Sequence, residues 1–551
     1  MSILLYLMQE FFTEEKWTAI LLLIIGIFSN LLQANTISYF TSRILEGIHS
    51  NNHATISKYF TYFIWTSVGY GILYYLYRML QYKILTKMPQ WIRFHLLRMI
   101  LLVNNENLSA INFTKMVSPM NRATYICYQI FSDIMMFILP NILFLLVITG
   151  MVFYIDIKMG VAFLLGNITW ILYVMYNWGD MVIKSEKYEA SVRDTESLLV
   201  ETMNNVDKII YRGQTPSEIN VFSNKMDNTI NVSYAFFSLI NNHMTSINYI
   251  ILFTMVMCIS YAIHKYFQGA LTPTLFITFF TSMIMYRDRT GGLVAQIPDL
   301  LEFIGRTGST MIYFENLDVD YETVKNKEYI TDELEYNNIR FDNVSFTYPE
   351  TDKLIFENAS FKLDTTNNKI IGITGLSGNG KSTMAKMLIK MYKCNQGAIY
   401  IDDVNVQDID TRSLRENVTY VNQNSKLFDK TVLENILYGC NDMDKCKIYY
   451  DKIMQYPKIK GLYENVDIEG EKAGFSGEKL SGGQRQIVNV ISGLVNPSKI
   501  LILDEPTNAL DPDLKTELLE IIKDFKQHKQ CIIIITHDQD VRDLFDENIV
   551  V

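Results

Sequence analysis

A glycine-rich loop between an apolar run and a helix is the first stretch whose residue types suggest chemistry. Residues 375–383 read GLSGNGKST and follow an expected strand, Ile370 to Ile373. The spacing fits G-x-x-x-x-G-K-[ST], in which loop amides and a helix N-terminus bind phosphate groups. Lys381 is expected to reach the outer phosphates and the Ser382 hydroxyl to bind Mg²⁺. The alternative, a glycine-rich turn that binds nothing, is disfavoured by the flanking strand and helix.

The pentapeptide LSGGQ at residues 480–484 offers a second surface of the same kind. It stands directly before an expected helix, Gln486 to Leu494. A serine hydroxyl and bare glycine amides at a helix N-terminus attract anions, because the first amides of a helix have no partner inside it. The sequence therefore predicts a second phosphate-binding surface, far along the chain from the first.

Two buried apolar runs end in titratable side chains. Residues 499–503 lead into Asp504 and Glu505, and residues 531–536 lead into His537. Asp504 is placed to hold the hydration shell of Mg²⁺, and Glu505 to polarise a water molecule. Both roles belong to hydrolysis of a phosphate chain.

Three single residues complete the pattern, although each alone is a weak signal. Tyr348 follows an alternating strand, Arg340 to Phe346, and an aromatic ring upstream of a phosphate-binding loop is able to stack on adenine. Gln423 follows a short apolar stretch, and Asp511 ends the run NALD. An exposed tyrosine in a turn is ordinary, so these residues gain meaning from their order in the chain.

In this order the motifs closely resemble those of the ATP-binding cassette (ABC) family, over nearly the whole of residues 338–551. The resemblance implies that Tyr348 stacks on adenine, and that Gln423 contacts Mg²⁺ and senses the transmembrane half. It also implies that LSGGQ binds ATP held by the opposite cassette of a dimer. Asp511 would then communicate across that dimer, and His537 would contact the γ-phosphate.

ATP and Mg²⁺ are therefore the expected cofactors. Glu505, His537 and Gln423 are the expected catalytic residues, and Ser382, Gln423 and Asp504 the expected metal site. The positions expected to contact ATP within one cassette are Tyr348, Gly375, Ser377, Gly378, Asn379, Gly380, Lys381, Ser382 and Thr383. Those expected to contact the ATP of the opposite cassette are Leu480, Ser481, Gly482, Gly483 and Gln484.

The composition divides the chain into two different halves. Hydrophobic residues make up 49% of the 551 residues, but the long apolar runs lie before about residue 300. A net charge of −10 argues against a nucleic-acid partner, since such proteins carry a basic surface. The six cysteines lack C-x-x-C spacing, and four lie in the half that must meet cytosolic ATP, so we expect reduced thiols.

Apolar runs in the first half predict six membrane-spanning helices, since a bilayer needs about 20 apolar residues per helix. The expected spans are residues 17–40, 59–80, 134–154, 159–176, 245–263 and 271–290. An even number puts both termini on one side, and the basic connection between the second and third spans puts that side in the cytosol. The two long cytosolic connections are expected to be helices that extend beyond the bilayer.

The expected architecture is an all-α transmembrane domain over residues 1–312, a linker over 313–337 and an α/β P-loop NTPase cassette over 338–551. The cassette is expected to be short at its C-terminus, since family members usually continue further. Six spans before one cassette resemble a type IV exporter half-transporter. This weaker, architectural resemblance implies coupling helices in the two long connections.

The sequence thus predicts half of an ATP-driven exporter in an undetermined membrane. Its partner is a second half-transporter, with a homodimer favoured and a heterodimer open. A chromosome-associated ABC ATPase would need a very long coiled coil between Lys381 and Ser481, which this sequence lacks. An ATP-regulated channel or sensor without net pumping stays open as the alternative; its ion current would persist without ATP turnover.

The chemical class of the cargo is the property that the sequence determines least. Aromatic residues in the spans suit amphipathic or lipid-like cargo, but they are also common at membrane interfaces. Arg287 and Arg289 follow the apolar run Leu271 to Tyr286, which is short of a core about 30 Å thick at about 1.5 Å per residue. We hypothesise that they line an inward-facing cavity and attract anionic head groups. Alternatively, they snorkel, or the sixth helix emerges into the cytosol here.

Overall fold

A computed structural model of the chain describes residues 3–35, 39–107, 113–330, 334–348, 354–375, 378–423 and 426–550. The chain forms two compact units. One, the helical unit, consists of Met1–Met99 and Asn112–Val319. The other, the cassette unit, consists of Ile100–Ile111 and Asp320–Val551, so a short segment of the first half belongs by its contacts to the second unit.

Long helices make up the helical unit. They are α1 (Ile3–Glu14), α2 (Lys16–Asn35), α3 (Thr41–His49), α4 (His53–Val103), α5 (Phe113–Ser132), a π-helical turn (Asp133–Ile138), α6 (Leu139–Ile155), α7 (Ile157–Asn204), α8 (Val206–Tyr211), α9 (Thr215–Phe267), α10 (Pro273–Ala295) and α11 (Ile297–Met311). This confirms that the first half is helical.

Within the described residues, three helices are long and apolar enough to cross a membrane: Met116–Ile155, Ile157–Asn204 and Thr215–Phe267. A shorter apolar helix covers Lys16–Ser29. The second predicted span lies inside α4, and the sixth begins two residues before α10 and otherwise lies inside it. Residues 36–38 of the first predicted span lie outside the described residues.

The helices continue well past their apolar parts. α7 has 48 residues, which is roughly 72 Å at 1.5 Å per residue and more than twice a bilayer core of about 30 Å. Beyond the apolar part, the Ser185 hydroxyl donates to the Leu301 carbonyl at 2.6 Å. The buried Glu189 carboxylate lies 3.1 Å from Nε of Arg306 on α11. The sequence predicted such extended helices. The polar contacts between α7 and α11 stabilise the part of α7 that lies beyond its apolar run.

Polar groups inside the bundle find partners there. Tyr286 of α10 is fully buried, and its hydroxyl donates to Oδ1 of Asn167 at 3.0 Å. The indole of Trp170 donates to the same oxygen at 3.1 Å. Phe163 packs edge-on against the Tyr286 ring at 4.8 Å. An unpaired polar group at this depth is costly, so these bonds fix how α7 and α10 pack.

Two sheets form the centre of the cassette unit. Strands β1 (Asn338–Thr347), β2 (Leu354–Asp364), β4 (Gln396–Ile401) and β5 (Val404–Asn405) form an antiparallel sheet in the order β2-β1-β4-β5. Strands β3 (Lys369–Thr374), β6 (Val418–Val421), β7 (Ile500–Asp504), β8 (Cys531–Ile535) and β9 (Glu547–Val550) form a parallel sheet in the order β6-β7-β8-β3-β9.

Helices pack around these sheets. They are α13 (Lys381–Leu388), α14 (Thr411–Asn417), α15 (Val432–Ile436), α16 (Met443–Ile453), α17 (Pro457–Leu462), α18 (Gly482–Val495) and α19 (Pro512–Phe525). A further helix, α12 (Leu317–Lys325), spans the division between the two units. α12 lies in the segment expected to be a linker. β7 and β8 are buried along their whole length, as central strands covered on both faces must be. The predicted α/β fold class is confirmed.

One prediction about the cysteines is wrong. Cys440 and Cys446 form a disulfide, with their Cα atoms 6.6 Å apart, where reduced thiols were expected. The turn that precedes α16 brings the two residues together although no C-x-x-C spacing marks them. Among the described residues the other four cysteines are free, as expected.

Candidate nucleotide-binding site

The phosphate-binding loop stands between β3 and α13, as the sequence predicts. Gly378 and Gly380 have φ angles of +88° and +82°, in the region that favours glycine. A Cβ on Gly380 would lie 2.5 Å from side-chain atoms of Ile355 and Phe356, so no larger residue fits without a shift. The Lys381 ammonium donates to the Gly375 carbonyl at 3.0 Å, across the mouth of the loop.

Three further residues of the loop region were predicted to contact ATP. Asn379 lies in the described part of the loop, and Thr383 lies in the first turn of α13. Ser377 falls outside the described residues.

A hydroxyl and a carboxylate converge at the first turn of α13. Ser382 Oγ donates to Oδ1 of Asp504, at the end of β7, at 2.9 Å. The Tyr420 hydroxyl donates to the other oxygen, Oδ2, at 2.8 Å. Burial raises the pKa of Asp504, and the two hydrogen bonds oppose that shift. Burial and the adjacent carboxylate raise the pKa of Tyr420, which therefore stays a donor.

Glu505 and His537 form a hydrogen-bonded pair. The Nδ1 atom of His537 lies 2.7 Å from Oε1 of Glu505, and the Thr536 hydroxyl donates to Oε2 at 3.3 Å. Glu505 has a φ of +50°, a conformation that costs a non-glycine residue roughly 1–2 kcal/mol. Its amide donates to the Ile535 carbonyl at 2.8 Å, and Gln486 donates to its carbonyl at 3.2 Å. These bonds hold the strained backbone and direct the carboxylate towards His537.

Sheet topology explains why these groups meet. The loop follows β3, the two carboxylates follow β7, and His537 follows β8, and these three strands are parallel neighbours. The carboxyl ends of parallel strands lie at one edge of the sheet, where ligands bind in open α/β folds. Gln423 follows β6 at the same edge and is half-buried.

Tyr348 lies against the start of α13. Its hydroxyl is 2.5 Å from Oγ1 of Thr383, and its ring meets Tyr392 edge-on with centroids 5.2 Å apart. Adenine stacking on this ring stays a prediction. Tyr392 is a second aromatic residue at this place, and no motif in the sequence pointed to it.

The LSGGQ pentapeptide forms the N-terminus of α18. Ser481 Oγ accepts from the Gln484 amide at 3.2 Å, and Gln484 Oε1 accepts from the Ser481 amide at 2.8 Å. This capping box fixes the first turn. Leu480 is buried, whereas Ser481 and Gly482 are exposed, so the surface is open to a partner.

Asp511 has a local role that the sequence did not predict. It caps α19, where its Oδ1 accepts from the Leu514 amide at 2.9 Å. The side chain is exposed, which leaves its predicted role between cassettes open.

Sequence reasoning missed Tyr420, Thr536 and Gln486. Tyr420 approaches Asp504 only because β6 pairs with β7. Thr536 precedes His537 directly, which gave a usable positional signal. The Gln486 side chain donates to the carbonyls of Glu505 and Pro506, and no sequence spacing predicts this contact.

A second cluster was also missed, in the segment Ile100–Ile111. The Glu106 carboxylate receives Lys390 on Oε1 and Lys327 on Oε2, both at 3.0 Å, and it also bonds the Thr411 hydroxyl. Lys390 is fully buried and Glu106 only 9% exposed. Burial raises the pKa of Glu106, but bonds from Thr411, Tyr329 and both lysines outweigh it and lower the pKa to about 2.

Arg287 and Arg289 lie within α10 rather than at its end. The helix continues to Ala295 and α11 follows, so the expected end of the sixth span near residue 290 is not an end of the helix. Arg287 is exposed, and the Arg289 guanidinium lies 5.9 Å from the centroid of the Phe144 ring. Their predicted contact with cargo stays a hypothesis.

Comparisons with known proteins agree with this arrangement. Residues 17–288 match the family model of the ABC transporter transmembrane region, and residues 356–508 match that of the ABC transporter. The ATP-dependent lipid A-core flippase of Haemophilus influenzae is 33% identical over 39% of this chain and 36% of its own length. A putative export ATP-binding/permease protein of Rickettsia typhi is 30% identical over 62% of this chain and 59% of its own.

The likeness to solved structures extends over almost all of the chain. A bacterial Atm1-family ABC exporter with ATP bound matches with a TM-score of 0.80, covering 98% of this chain and 93% of that one. The sequence identity is 19%, so this likeness concerns the fold. The alignments to the flippase and to the export protein span about a third and somewhat over half of their respective lengths.

Proposed function

The chain belongs to the ABC transporter family, and from this premise we propose that it is half of an ATP-driven membrane exporter. The observation that carries the proposal is the sheet edge where Lys381, Ser382, Asp504, Glu505 and His537 come together. It combines a phosphate-binding loop, oxygen ligands and a carboxylate positioned by histidine, and hydrolysis of ATP needs all three.

The residues at this edge fit Mg²⁺. Ser382 Oγ and Asp504 Oδ1, 2.9 Å apart, are a hydroxyl and a carboxylate oxygen, the donor types that Mg²⁺ prefers. Gln423 at the end of β6 would complete the set from the third strand. When bound, Mg²⁺ would neutralise charge on the phosphate oxygens. Lys381 would exchange the Gly375 carbonyl for the outer phosphates.

Water activation falls to Glu505. Its carboxylate would orient the attacking water and accept its proton, while His537 fixes the carboxylate and reaches the γ-phosphate. His537 is 63% exposed and Glu505 10%, so the histidine can move towards a nucleotide while the carboxylate stays held.

The proposed exporter works as a dimer. The capped LSGGQ surface is exposed, and we assign it to the ATP of the opposite cassette, with Asp511 at the same interface. ATP binding would close the cassettes and hydrolysis would reopen them, switching the helices between inward- and outward-facing states. Loop and signature retain every predicted group, which favours a homodimer, although a heterodimer stays open.

Membrane orientation and domain limits belong to the proposal as well. The chain is an integral membrane protein, and we place both termini and the cassette in the cytosol from the basic second connection. We keep 1–312, 313–337 and 338–551 as transmembrane domain, linker and cassette. Residues 100–111 are assigned to communication with the cassette because their contacts group with it.

An amphipathic or lipid-like molecule is the proposed cargo. A relative named as a lipid A-core flippase supports this class, as do the aromatic spans. Arg287 and Arg289 stay the proposed contacts to anionic head groups near the inner end of the sixth span.

Reconstitution of the purified chain tests the proposal. We expect ATPase activity that requires dimerisation, depends on Mg²⁺ and rises with an amphipathic cargo that crosses the membrane. A homodimer that is inert until a second protein is added would contradict the homodimer. Ion current that persists without ATP turnover would contradict export.

A further inference from the structure

A cavity of about 1300 Å³ opens between α2, α3, α6 and α10 of the helical unit. Pockets for drug-sized ligands are smaller, roughly 300–1,000 Å³. Its walls differ from one end to the other. The charged side chains of the lining gather on α3, whereas the remainder is mainly apolar and carries only hydroxyl groups, such as those of Thr278 and Ser282. This division of polarity matches that of an amphiphile.

Measured along α10, the cavity is about as deep as one membrane leaflet. Phe144, Ile148 and Met151 line it from one face of α6, with the spacing of neighbours on a helix. On α10 the lining runs from Thr274 to Met285, roughly 16 Å at 1.5 Å per residue. Half of a hydrocarbon core about 30 Å thick is close to that length. The cavity therefore suits an acyl chain from a single leaflet.

The polar end carries both signs of charge. Arg43, Glu46 and His49 line it and recur every three residues on α3, which places them on one side of the helix. Arg43 Nη1 and Glu46 Oε2 are 2.9 Å apart, with side chains 36% and 42% exposed. Both groups are therefore paired with each other and still accessible from the cavity.

Arg43 also retains a donor without a partner. Its Nε atom is buried and makes no hydrogen bond in the described part of the chain. Its guanidinium lies 5.4 Å from the centre of the Tyr39 ring and 5.9 Å from that of Tyr59, which restrict its position. The part of the guanidinium that a ligand can reach is therefore its outer edge, which also faces Glu46.

We propose that this cavity binds a zwitterionic, single-leaflet amphiphile, with its anionic group at Arg43 and its cationic group at Glu46. A purely anionic head group would meet the Glu46 carboxylate, and a purely cationic one the Arg43 guanidinium. A zwitterion satisfies both without leaving either charge unmatched. This names the cargo class of the proposed exporter and rests on that function. It narrows the class proposed for Arg287 and Arg289, since a zwitterionic head group also carries an anionic group.

Native mass spectrometry of the full chain in a nonionic detergent tests the inference without ATP turnover. The probes share one dodecyl chain and differ in head group: phosphoethanolamine, phosphate and trimethylammonium. We expect the zwitterionic probe to bind about tenfold more tightly than either charged one, the value of one good bond to a charged group.

Two single substitutions should shift the preference in opposite directions. Arg43→Gln leaves Glu46 and should favour the cationic probe, whereas Glu46→Gln leaves Arg43 and should favour the anionic one. Met151→Trp narrows the apolar part and should weaken all three probes. The control is Lys58→Gln, which removes an exposed charge at the start of α4 that does not line the cavity.

Equal binding of the three probes, or a preference that both Gln variants leave unchanged, would overturn the inference. So would a cavity covered by a second copy, seen as binding that disappears when the chain dimerises. Selective binding without any ATPase stimulation would contradict the exporter function and leave the ligand class standing. Stimulated ATPase without selective binding would do the reverse.

Discussion

The parallel-sheet edge of the cassette unit and the cavity of the helical unit both gather charged side chains, but by different means. At the edge, strand ends and helix starts place Ser382, Asp504 and Glu505 within hydrogen-bond distance of fixed partners. In the cavity, Arg43 and Glu46 lie on one short helix, pair with each other and stay partly exposed. The side chains at the sheet edge are held in one arrangement by their hydrogen bonds. The cavity selects a ligand only by the polarity of its lining and by its volume.

This difference has a consequence for mutations. Where each side chain has a fixed hydrogen-bond partner, removing one group should disturb a specific step of ATP hydrolysis. Where a cavity lining has only a general polarity, removing one group should change the ligand preference by a small factor.

Glu505→Gln should reduce ATP turnover about 10²–10⁴-fold, because the amide keeps the shape but loses the negative charge that orients water. ATP binding should persist, and the nucleotide should be trapped in a closed dimer. Single-turnover ATPase and nucleotide retention measure both. Glu520→Gln, an exposed carboxylate on α19, is the matched control. Near-normal turnover in the Glu505 variant would move the base to another group, of which His537 is the nearest.

Glu106→Gln should destabilise the cassette unit by about 3 kcal/mol, because it leaves the fully buried Lys390 without its carboxylate. Thermal unfolding of the cassette measures this. Replacing Glu106 and Lys390 together by methionine should recover most of the loss, since a buried pair is often replaceable by apolar residues. The exposed pair Glu416 and Arg412 supplies the control, and Glu416→Gln should change stability by less than about 1 kcal/mol.

The same cluster predicts an acid response. The pKa of Glu106 is lowered from 4.5 to about 2 in the folded chain. A lowered carboxyl pKa contributes stability above the unfolded value, and that stability is lost as the pH falls from about 4.5 towards 2. Wild type should thus lose cassette stability over that range more steeply than Glu106→Gln. Parallel curves would mean that Glu106 is not the carboxylate that responds.

Tyr420→Phe should raise the Mg²⁺ concentration needed for half-maximal ATPase about tenfold, because Asp504 loses its 2.8 Å donor. A general structural defect would lower turnover at all Mg²⁺ concentrations, whereas a positioning defect should be rescued by excess Mg²⁺. Tyr400→Phe, which removes a hydroxyl from β4 of the antiparallel sheet, should leave the Mg²⁺ dependence unchanged. An unaltered midpoint in Tyr420→Phe would show that Ser382 positions Asp504 without help.

What the sequence could predict follows from how each contact is made. The loop, LSGGQ, Asp504–Glu505 and His537 were recognisable because their chemistry needs fixed residue types at fixed local spacings. Tyr420 and Asp504 are 84 residues apart, and Lys390 and Glu106 are 284 residues apart. Such pairs exist only once strands pair and segments pack, so no local pattern predicts them.

The helical unit was predictable in a coarser way. Apolar runs of about the length that a bilayer requires predicted the helices. They did not predict the ends of these helices, because polar contacts such as Glu189–Arg306 keep α7 and α11 helical beyond any apolar run. For the same reason the charged triplet at residues 287–289 failed to mark the end of the sixth helix. The cavity charges on α3 lie in the connection between the first and second predicted spans, for which the sequence predicted no role.

Arg287 and Arg289 provide the smallest expected effect and the sharpest comparison between two neighbouring positions. Arg289 lies 5.9 Å from the Phe144 ring, and that ring lines the cavity; Arg287 is exposed. A cation–ring contact is worth roughly 0.5–1 kcal/mol at an accessible site, which is about a two- to fivefold change. Arg289→Gln should therefore lower cargo-stimulated ATPase by about that factor and leave basal ATPase unchanged, because it disturbs the cavity wall and not the cassette.

Arg287→Gln should change stimulation less than about twofold, and the exposed Lys184→Gln on α7 serves as control. If Arg287→Gln has the larger effect, the exposed face of α10 binds cargo. If both variants keep full stimulation and cargo affinity, the triplet anchors the helix at the membrane interface.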